Sequence, residues 1–161
     1  QARASGAIDP RKALEDSVNR ILAIAAVHEL LTERRDDDVD LADLLGRLRA
    51  TLVQGVADGR AVDEELEPVS LDGAQATALA LVFSELLGNA LEHGGGHVQV
   101  GLHRRNGDVV LAITDDGPGI GPRSTEGTGL SIVRALVRDE LRGTLELTAN
   151  GGTRAEVRFP A

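Results

Sequence analysis

The chain contains no cysteine, methionine, tryptophan or tyrosine, and its only aromatic residues are Phe83 and Phe159. Without cysteine it has no disulfide, no thiolate nucleophile and no cysteine-ligated zinc, which fits a reducing compartment. With so few aromatic stacking platforms and a formal net charge of −9, we expect no binding to nucleic acid. The only lysine, Lys12, is not part of a GxxxxGK[ST] sequence, which excludes a P-loop site.

Long apolar runs are also absent. The longest uninterrupted one, residues 21–27, has seven residues and is too short to span a bilayer. The chain does not open with a charged segment followed by an apolar one, so no secretory signal is visible. We therefore expect a cytoplasmic segment without membrane contact. Its 161 residues, 42% hydrophobic and 27% charged, predict one medium globular domain with a possible appendage.

The N-terminal region predicts a helix that begins at Asp9–Pro10, because aspartate caps helices and proline favours their first position. After it, side chains suited to an a/d seam recur at spacings of four and three: Leu14, Val18, Ile21, Ala25 and His28. The seam covers little more than two heptads, which favours a helical hairpin or bundle. An acidic run at 36–38 then indicates a solvated connector. We predict a helical appendage and linker over 1–37, followed by a globular domain over 38–161.

The remaining patterns predict a mixed order of helices and strands. Helices are expected over 40–56, from an Asp72 cap to about Glu92, and over 128–137. Strands are expected over 61–69, 97–105, 108–114, 141–148 and 153–159, and Asn106-Gly107 signals a hairpin. This order does not alternate as in a doubly wound fold. We predict an α+β, two-layer α/β sandwich with helices on one face of a mixed, largely antiparallel sheet.

The segment ELLGNALEH (85–93) on the third predicted helix places Glu85, Asn89 and Glu92 on one stripe. Oxygen ligands are those that Mg²⁺ prefers, and it usually takes only one or two from protein. The alternative interpretation is a solvated polar face on an amphipathic helix.

Two glycine-rich segments follow. In DDGPG (115–119), a carboxylate at the end of a strand can accept a hydrogen bond from an exocyclic amine, and glycines let the backbone approach a flat ligand. The alternative is an ordinary surface turn. In GTGLSIV (127–133), a glycine turn opens a helix whose N–H groups form an anion site. The alternative there is a plain helix start.

Together, in this order, the segments resemble the GHKL ATPase superfamily. ELLGNALEH looks like its N box, DDGPG like its G1 box and GTGLSIV like its G2 box, while Gly151-Gly152-Thr153 resembles the Gly-Thr that closes the pocket. The resemblance covers about residues 40–160 and is greatest to bacterial sensor histidine kinases. NRILAIAAVHELL (19–31) is similar to the second dimerisation helix of the HisKA_2-like subfamily, whose acceptor histidine lies in an HRVKNNLQ-like first helix.

This resemblance implies ATP and Mg²⁺ as cofactors. It implies transfer of the γ-phosphoryl group to a histidine and then to an aspartate of a response regulator. It also implies a homodimer through the N-terminal helix. By the same resemblance, Asn89 would bind Mg²⁺, Glu85 would act as general base, and Asp115 would accept from the adenine N6 amine. Further nucleotide contacts are implied for Glu92, His93, Gly117, Gly119, Gly127, Thr128, Gly129, Leu130 and Thr153.

The sequence departs from this family pattern in its lid and its nucleophile. The lid IGPRSTE (120–126) is short and has no F box, and no HRVKNNLQ-like segment is present. We therefore expect the acceptor histidine to lie outside this chain, and interpret His28 as a seam residue rather than the acceptor. Two alternatives stay open: an anti-sigma-factor serine kinase, and a nucleotide-binding module that does not transfer phosphate.

Overall fold

The structure, a computed structural model, describes residues 9–34, 37–54, 61–118, 128–149 and 151–161. Its elements, in chain order, are α1 (Pro10–Arg34), β1 (Asp38–Asp40), α2 (Leu41–Gln54), β2 (Ala61–Leu66), β3 (Ser70–Asp72), α3 (Gly73–His93), β4 (His97–Arg105), β5 (Asp108–Asp115), α4 (Thr128–Asp139), β6 (Thr144–Ala149) and β7 (Thr153–Pro160).

Five strands form one mixed sheet in the order β2-β4-β5-β7-β6. Strand β2 runs parallel to β4, and the other neighbours are antiparallel. Alternate buried residues of β4, β5 and β7 join the helices in one core: Val98, Val100, Leu102, Val109, Leu111, Ile113, Ala155, Val157 and Phe159. The predicted α+β architecture with a mixed, largely antiparallel sheet is confirmed.

Helix α3 is the central helix of this core. It begins where predicted, because the Asp72 side chain accepts a hydrogen bond from the Gln75 N–H at 2.8 Å. By length and composition alone, α3 could cross a membrane, but 67% of its apolar window is buried inside the protein. Its apolar character is that of a helix packed deeply in a core.

Short-range turn signals are confirmed, and the shortest strands were missed. Asn106 and Gly107 take φ values of 52° and 85°, the positive values that a type I′ hairpin turn needs. Strands β1 and β3 pair with each other, but three residues are too few to give a periodic pattern. The strand expected over 61–69 ends at Leu66, and the one expected from residue 141 begins at Thr144.

Helix α1 has two different faces. Ala23, Val27 and Leu30 are buried in the core shared with the rest of the chain. On the opposite side, Leu14 and Ile21 are 67% and 65% exposed. The exposed side carries the seam that the sequence predicts, whereas the buried side was not predicted. The boundary between an appendage and a catalytic domain at residues 37–38 stays a prediction.

Candidate functional site

Asp115 lies at the end of β5, where three segments of the chain meet. Its cross-strand partners are Val98 on β4 and Thr153 on β7. Its Oδ1 accepts a hydrogen bond from the Gly117 N–H at 2.9 Å, which fixes the carboxylate above the loop that follows. The sheet thus positions a half-buried carboxylate beside the hydroxyl-bearing residue that the sequence predicted to support it.

Close backbone approaches surround this carboxylate. A Cβ at Gly152 would overlap the backbone oxygen of Asp115, and a Cβ at Gly117 would lie 2.7 Å from the Cα of Gly94. Gly152 also has a φ of +148°, a conformation that side-chain-bearing residues rarely adopt. Because each of these positions admits only glycine, the walls around Asp115 are built from backbone.

Asp116 attaches the same loop to β4. Its Oδ1 accepts from the His97 N–H at 3.2 Å, and its own N–H donates to the His97 carbonyl oxygen at 3.4 Å. The two neighbouring aspartates therefore differ: the carboxylate of Asp116 holds the loop to β4, while one oxygen of the Asp115 carboxylate accepts no hydrogen bond from the residues that the structure describes.

Glu85 lies on α3, about nine residues before the end of the helix that touches Asp115. Only 9% of Glu85 is exposed, so the alternative of a solvated polar face does not describe it. Its Oε1 accepts a hydrogen bond from Arg20 Nε of α1 at 2.7 Å. On its other side a Cβ at Gly129 would overlap Glu85 Oε2, so the first turn of α4 lies directly against the carboxylate.

Asn89, one helical turn beyond Glu85, is half-buried, and its side chain forms no hydrogen bond within the described ranges. An amide oxygen left free in this way fits the single protein ligand that Mg²⁺ often takes beside water and phosphate. Among the residues that the structure describes, no three His, Asp or Glu side chains lie close enough together to hold a metal ion. The donor set therefore fits a metal held mainly by a phosphate ligand.

Glu92 and His93 occupy the outer end of the stripe. The Glu92 carboxylate pairs with the Lys12 ammonium of α1, and His93 Nε2 lies 3.8 Å from Glu92 Oε2 with its side chain exposed. Partial burial lowers the pKa of Lys12, but the hydrogen bond to Glu92 and the nearby carboxylates outweigh it and raise the pKa above its ordinary value. Helix α1 therefore places one cation at each glutamate of the stripe.

The predicted G2 segment is described from the start of α4 onward. Gly129 contacts Glu85, and Leu130 packs partly buried against the core. The helix begins at Thr128 as expected. Gly119, Gly127 and the lid over 120–126 lie outside the described residues.

The residues that sequence reasoning missed are the cations of α1. The two cations, Lys12 and Arg20, lie with the anion Asp16 between them at intervals of four residues, on the side of α1 opposite the apolar seam. That spacing is a signal of a charged face, but only the tertiary structure shows that this face meets Glu85 and Glu92. Gly94, which the sequence suggested only as a helix end, contacts Asp115.

The chain matches two protein-family models. Residues 74–161 match the family described as histidine kinase-, DNA gyrase B- and HSP90-like ATPase. Residues 1–56 match a family described as histidine kinase.

Curated relatives cover nearly the whole chain. It is 32% identical over 174 aligned residues to the sensor histidine kinase PdtaS of Mycolicibacterium smegmatis, covering 99% of this chain and 35% of that protein. It is 29% identical to the signal transduction histidine-protein kinase AfsQ2 of Streptomyces coelicolor, covering 95% of this chain and 32% of that protein. The chain thus spans about a third of the length of these relatives.

Solved structures share the fold. The histidine kinase domain of the Erythrobacter litoralis blue-light activated histidine kinase EL346 superimposes with a TM-score of 0.82 at 23% identity, covering 90% of this chain and 74% of that one. The mycobacterial sensor histidine kinase MprB gives 0.66 at 26% identity, covering 76% and 95%.

Proposed function

Because the chain belongs to the histidine kinase-, DNA gyrase B- and HSP90-like ATPase family and is an ATP-binding catalytic domain of the histidine kinase type, we propose that it transfers the γ-phosphoryl group of ATP to a histidine. The observation that carries this proposal is the placement of one carboxylate on α3 and of a second beside the end of that helix. The end of the helix touches Asp115, and Glu85 lies nine residues earlier against Gly129. Nine residues span about 13 Å of helix. This distance separates an end that binds adenine from an end that binds the phosphates.

We assign the adenine end to Asp115, Gly117, Gly152 and Thr153. The free oxygen of Asp115 accepts from the exocyclic amine of adenine, while the glycine-lined backbone lies flat against the ring. Thr153, the strand neighbour of Asp115, supports the same edge with its hydroxyl. A buried site built to receive an amine loses binding energy when its acceptor is removed.

We assign the phosphate end to Glu85, Asn89 and the first turn of α4. The N–H groups at Gly129 and Leu130 point a helix N-terminus toward the phosphates, which favours an anion. Glu85 accepts the proton of the attacking imidazole as general base, a role that requires hydrogen-bond reach to that proton. Glu92 and His93 directly precede Gly94 and so border the adenine end, with their contacts to nucleotide kept as predictions.

Asn89 would hold Mg²⁺ at this end. When bound, the metal neutralises charge on the phosphates. Phosphoryl transfer needs little covalent chemistry from the protein, so position and electrostatic field are its main contributions.

The partners of this activity follow from the same assignment. The phosphohistidine passes its phosphoryl group to an aspartate of a response regulator. The exposed face of α1, which carries Leu14, Val18 and Ile21, forms the homodimer seam. Residues 1–37 are part of the dimerisation region and 38–161 the catalytic domain, working in the cytoplasm.

The test supplies a separate peptide that carries an HRVKNNLQ-type helix, together with labelled ATP and Mg²⁺. We expect acid-labile, base-stable label on the peptide, and none after Glu85→Gln. Without the peptide we expect ATP binding but no labelled chain, because the chain lacks a positioned nucleophile. His28→Gln is the control, and label that disappears with it would make His28 the acceptor.

Two other outcomes identify the alternatives. Acid-stable label on a serine of an added protein would indicate a serine kinase of the anti-sigma-factor type. ATP binding with no transfer to any acceptor would indicate a nucleotide-binding module. The similarity of residues 1–56 to a histidine kinase family favours histidine transfer over both.

A further inference from the structure

Helix α1 makes a contact with Glu85 that phosphoryl transfer does not use. Arg20 Nε donates to Glu85 Oε1 at 2.7 Å, and the two side chains are 27% and 9% exposed. The second oxygen, Oε2, is packed against Gly129. Arg20 therefore occupies one oxygen of the carboxylate, and the other faces the first turn of α4.

A general base must bring a free oxygen within about 2.6–3.2 Å of the proton that it takes. In this arrangement Oε1 already accepts from a guanidinium, and Oε2 faces the backbone of α4. Glu85 cannot move out alone without taking this partner away from the half-buried guanidinium of Arg20, which is costly. The pair is more readily opened by a movement of Arg20.

Arg20 moves with α1, which lies antiparallel along α3. Three contacts follow the helix pair in order: Lys12 with Glu92, Arg20 with Glu85, and Leu31 against Gly73. Since these contacts run along the length of α3, a displacement of α1 changes the surroundings of Glu85 directly.

We propose that Arg20 is a positioning residue that withholds Glu85 from the nucleophile while α1 is docked, and that displacement of α1 releases it. This inference rests on the proposed role of Glu85. It makes the position of α1 a control on the turnover step, separate from ATP binding at Asp115.

The experiment measures ATP hydrolysis by the whole chain with Mg²⁺, through ADP release. In this reaction the oxygen of water bonds to the γ-phosphorus, and the bond from that phosphorus to the bridging oxygen breaks. ADP leaves with the electron pair, and the proton of water passes to Glu85. Water replaces histidine as nucleophile, so no separate acceptor is needed.

The variants are Arg20→Gln, which removes the charge and keeps a polar side chain, and Arg20→Lys, which restores the charge. We expect Arg20→Gln to raise kcat about fivefold, the effect of losing one ion pair of about 1 kcal/mol, with KM for ATP unchanged. Arg20→Lys returns kcat toward wild type. The matched control is Arg158→Gln, which removes an ion pair between β7 and Asp108 of β5 and touches neither α1 nor Glu85, and should leave kcat unchanged.

Two further measurements show whether Arg20 acts through Glu85 and whether each variant folds. Arg20→Gln combined with Glu85→Gln must be as slow as Glu85→Gln alone, because Arg20 acts through Glu85. Circular dichroism melting and ATP calorimetry identify a variant that fails to fold. If Arg20→Gln is one, Arg20→Met, which also removes the charge but keeps a long side chain, takes its place, and a raised kcat for Arg20→Met beside a wild-type kcat for the control supports the proposal.

An unchanged or lowered kcat in folded, ATP-binding Arg20→Gln overturns the role of Arg20 and leaves the proposed function standing. If Glu85→Gln hydrolyses ATP as fast as wild type, the role of Glu85 is wrong and this inference falls with it. If the folded wild-type chain binds no ATP, the proposed function itself is wrong.

Discussion

The two ends of the proposed nucleotide cleft are held together in different ways. At the adenine end, Asp115 is enclosed by backbone at Gly117 and Gly152 and by neighbouring strands. At the phosphate end, Glu85 is held by a cation of a separate helix. Backbone contacts cannot exchange partners without local unfolding, whereas ion pairs can. The difference indicates a preformed adenine end and an adjustable phosphate end.

The largest expected effect tests the rigid end. Gly152→Ala places a Cβ on the backbone oxygen of Asp115 at a φ of +148°. We expect a loss of about 3 kcal/mol in the free energy of unfolding, from strain and overpacking together. Because the chain has no tryptophan or tyrosine, denaturant unfolding is followed by far-UV circular dichroism.

The matched control for this change is Gly151→Ala. Gly151 has a φ of +67° but nothing lies near its Cβ position, so only the left-handed backbone costs free energy, about 1 kcal/mol. Equal losses in the two variants would show that the close approach to Asp115 is not what holds this end.

The second effect concerns nucleotide affinity. Asp115→Ala removes the acceptor for the adenine amine, and we expect ATP affinity to fall about ten- to hundredfold, or 1–3 kcal/mol. Titration calorimetry with a non-hydrolysable ATP analogue measures it. Asp116→Ala is the comparison, since its carboxylate holds the loop through His97 and its loss should weaken binding less. The reverse order of affinities would exchange the roles of the two aspartates.

A smaller effect is expected at the other end. Asn89→Ala removes an amide oxygen, and we expect the strengthening of ATP binding by Mg²⁺ to fall about tenfold. The fold should be kept, because Asn89 is half-buried and pairs with no described residue. The measurement is calorimetry with and without Mg²⁺, and Gln75→Ala on the same helix is the control. If Mg²⁺ strengthens ATP binding by Asn89→Ala as much as it does in the wild type, Asn89 does not bind the metal and is an ordinary surface amide.

The smallest effect tests the outer ion pair. The raised pKa of Lys12 means that its charged form stabilises the fold fully below its unfolded pKa, and that this contribution is lost as the pH rises through the higher folded value. We expect Lys12→Gln to lower the free energy of unfolding by less than about 1 kcal/mol at pH 8. The gap to wild type should close as the pH rises through the raised pKa of Lys12, and a gap that persists at higher pH would show that Lys12 acts through packing alone.

Local signals predicted the bounds of helices and strands better than the contacts between helices. The Asp72 cap, the Asn106-Gly107 turn and the alternation in β4 each depend on a few neighbouring residues, and each is confirmed. The placement of Asp115 beside Thr153 follows from strand pairing, which the predicted sheet made plausible without fixing its register.

The α1 contacts could not be predicted in the same way. The spacing of the seam indicated one apolar face on α1, because a/d positions alone were counted. The buried face at Ala23, Val27 and Leu30 and the pair between Arg20 and Glu85 depend on how α1 lies on α3. No periodicity along a single segment contains that information.

The charge order along α1 also limits sliding of the two helices. Asp16 lies between Lys12 and Arg20, one turn from each. If α1 slid along α3 by one turn, about 5.4 Å, in one direction, Asp16 would face Glu85, and in the other direction it would face Glu92. Like charges repel at both stops, so α1 has one favourable position along the axis of α3, whereas motion away from α3 exposes Ala23, Val27 and Leu30.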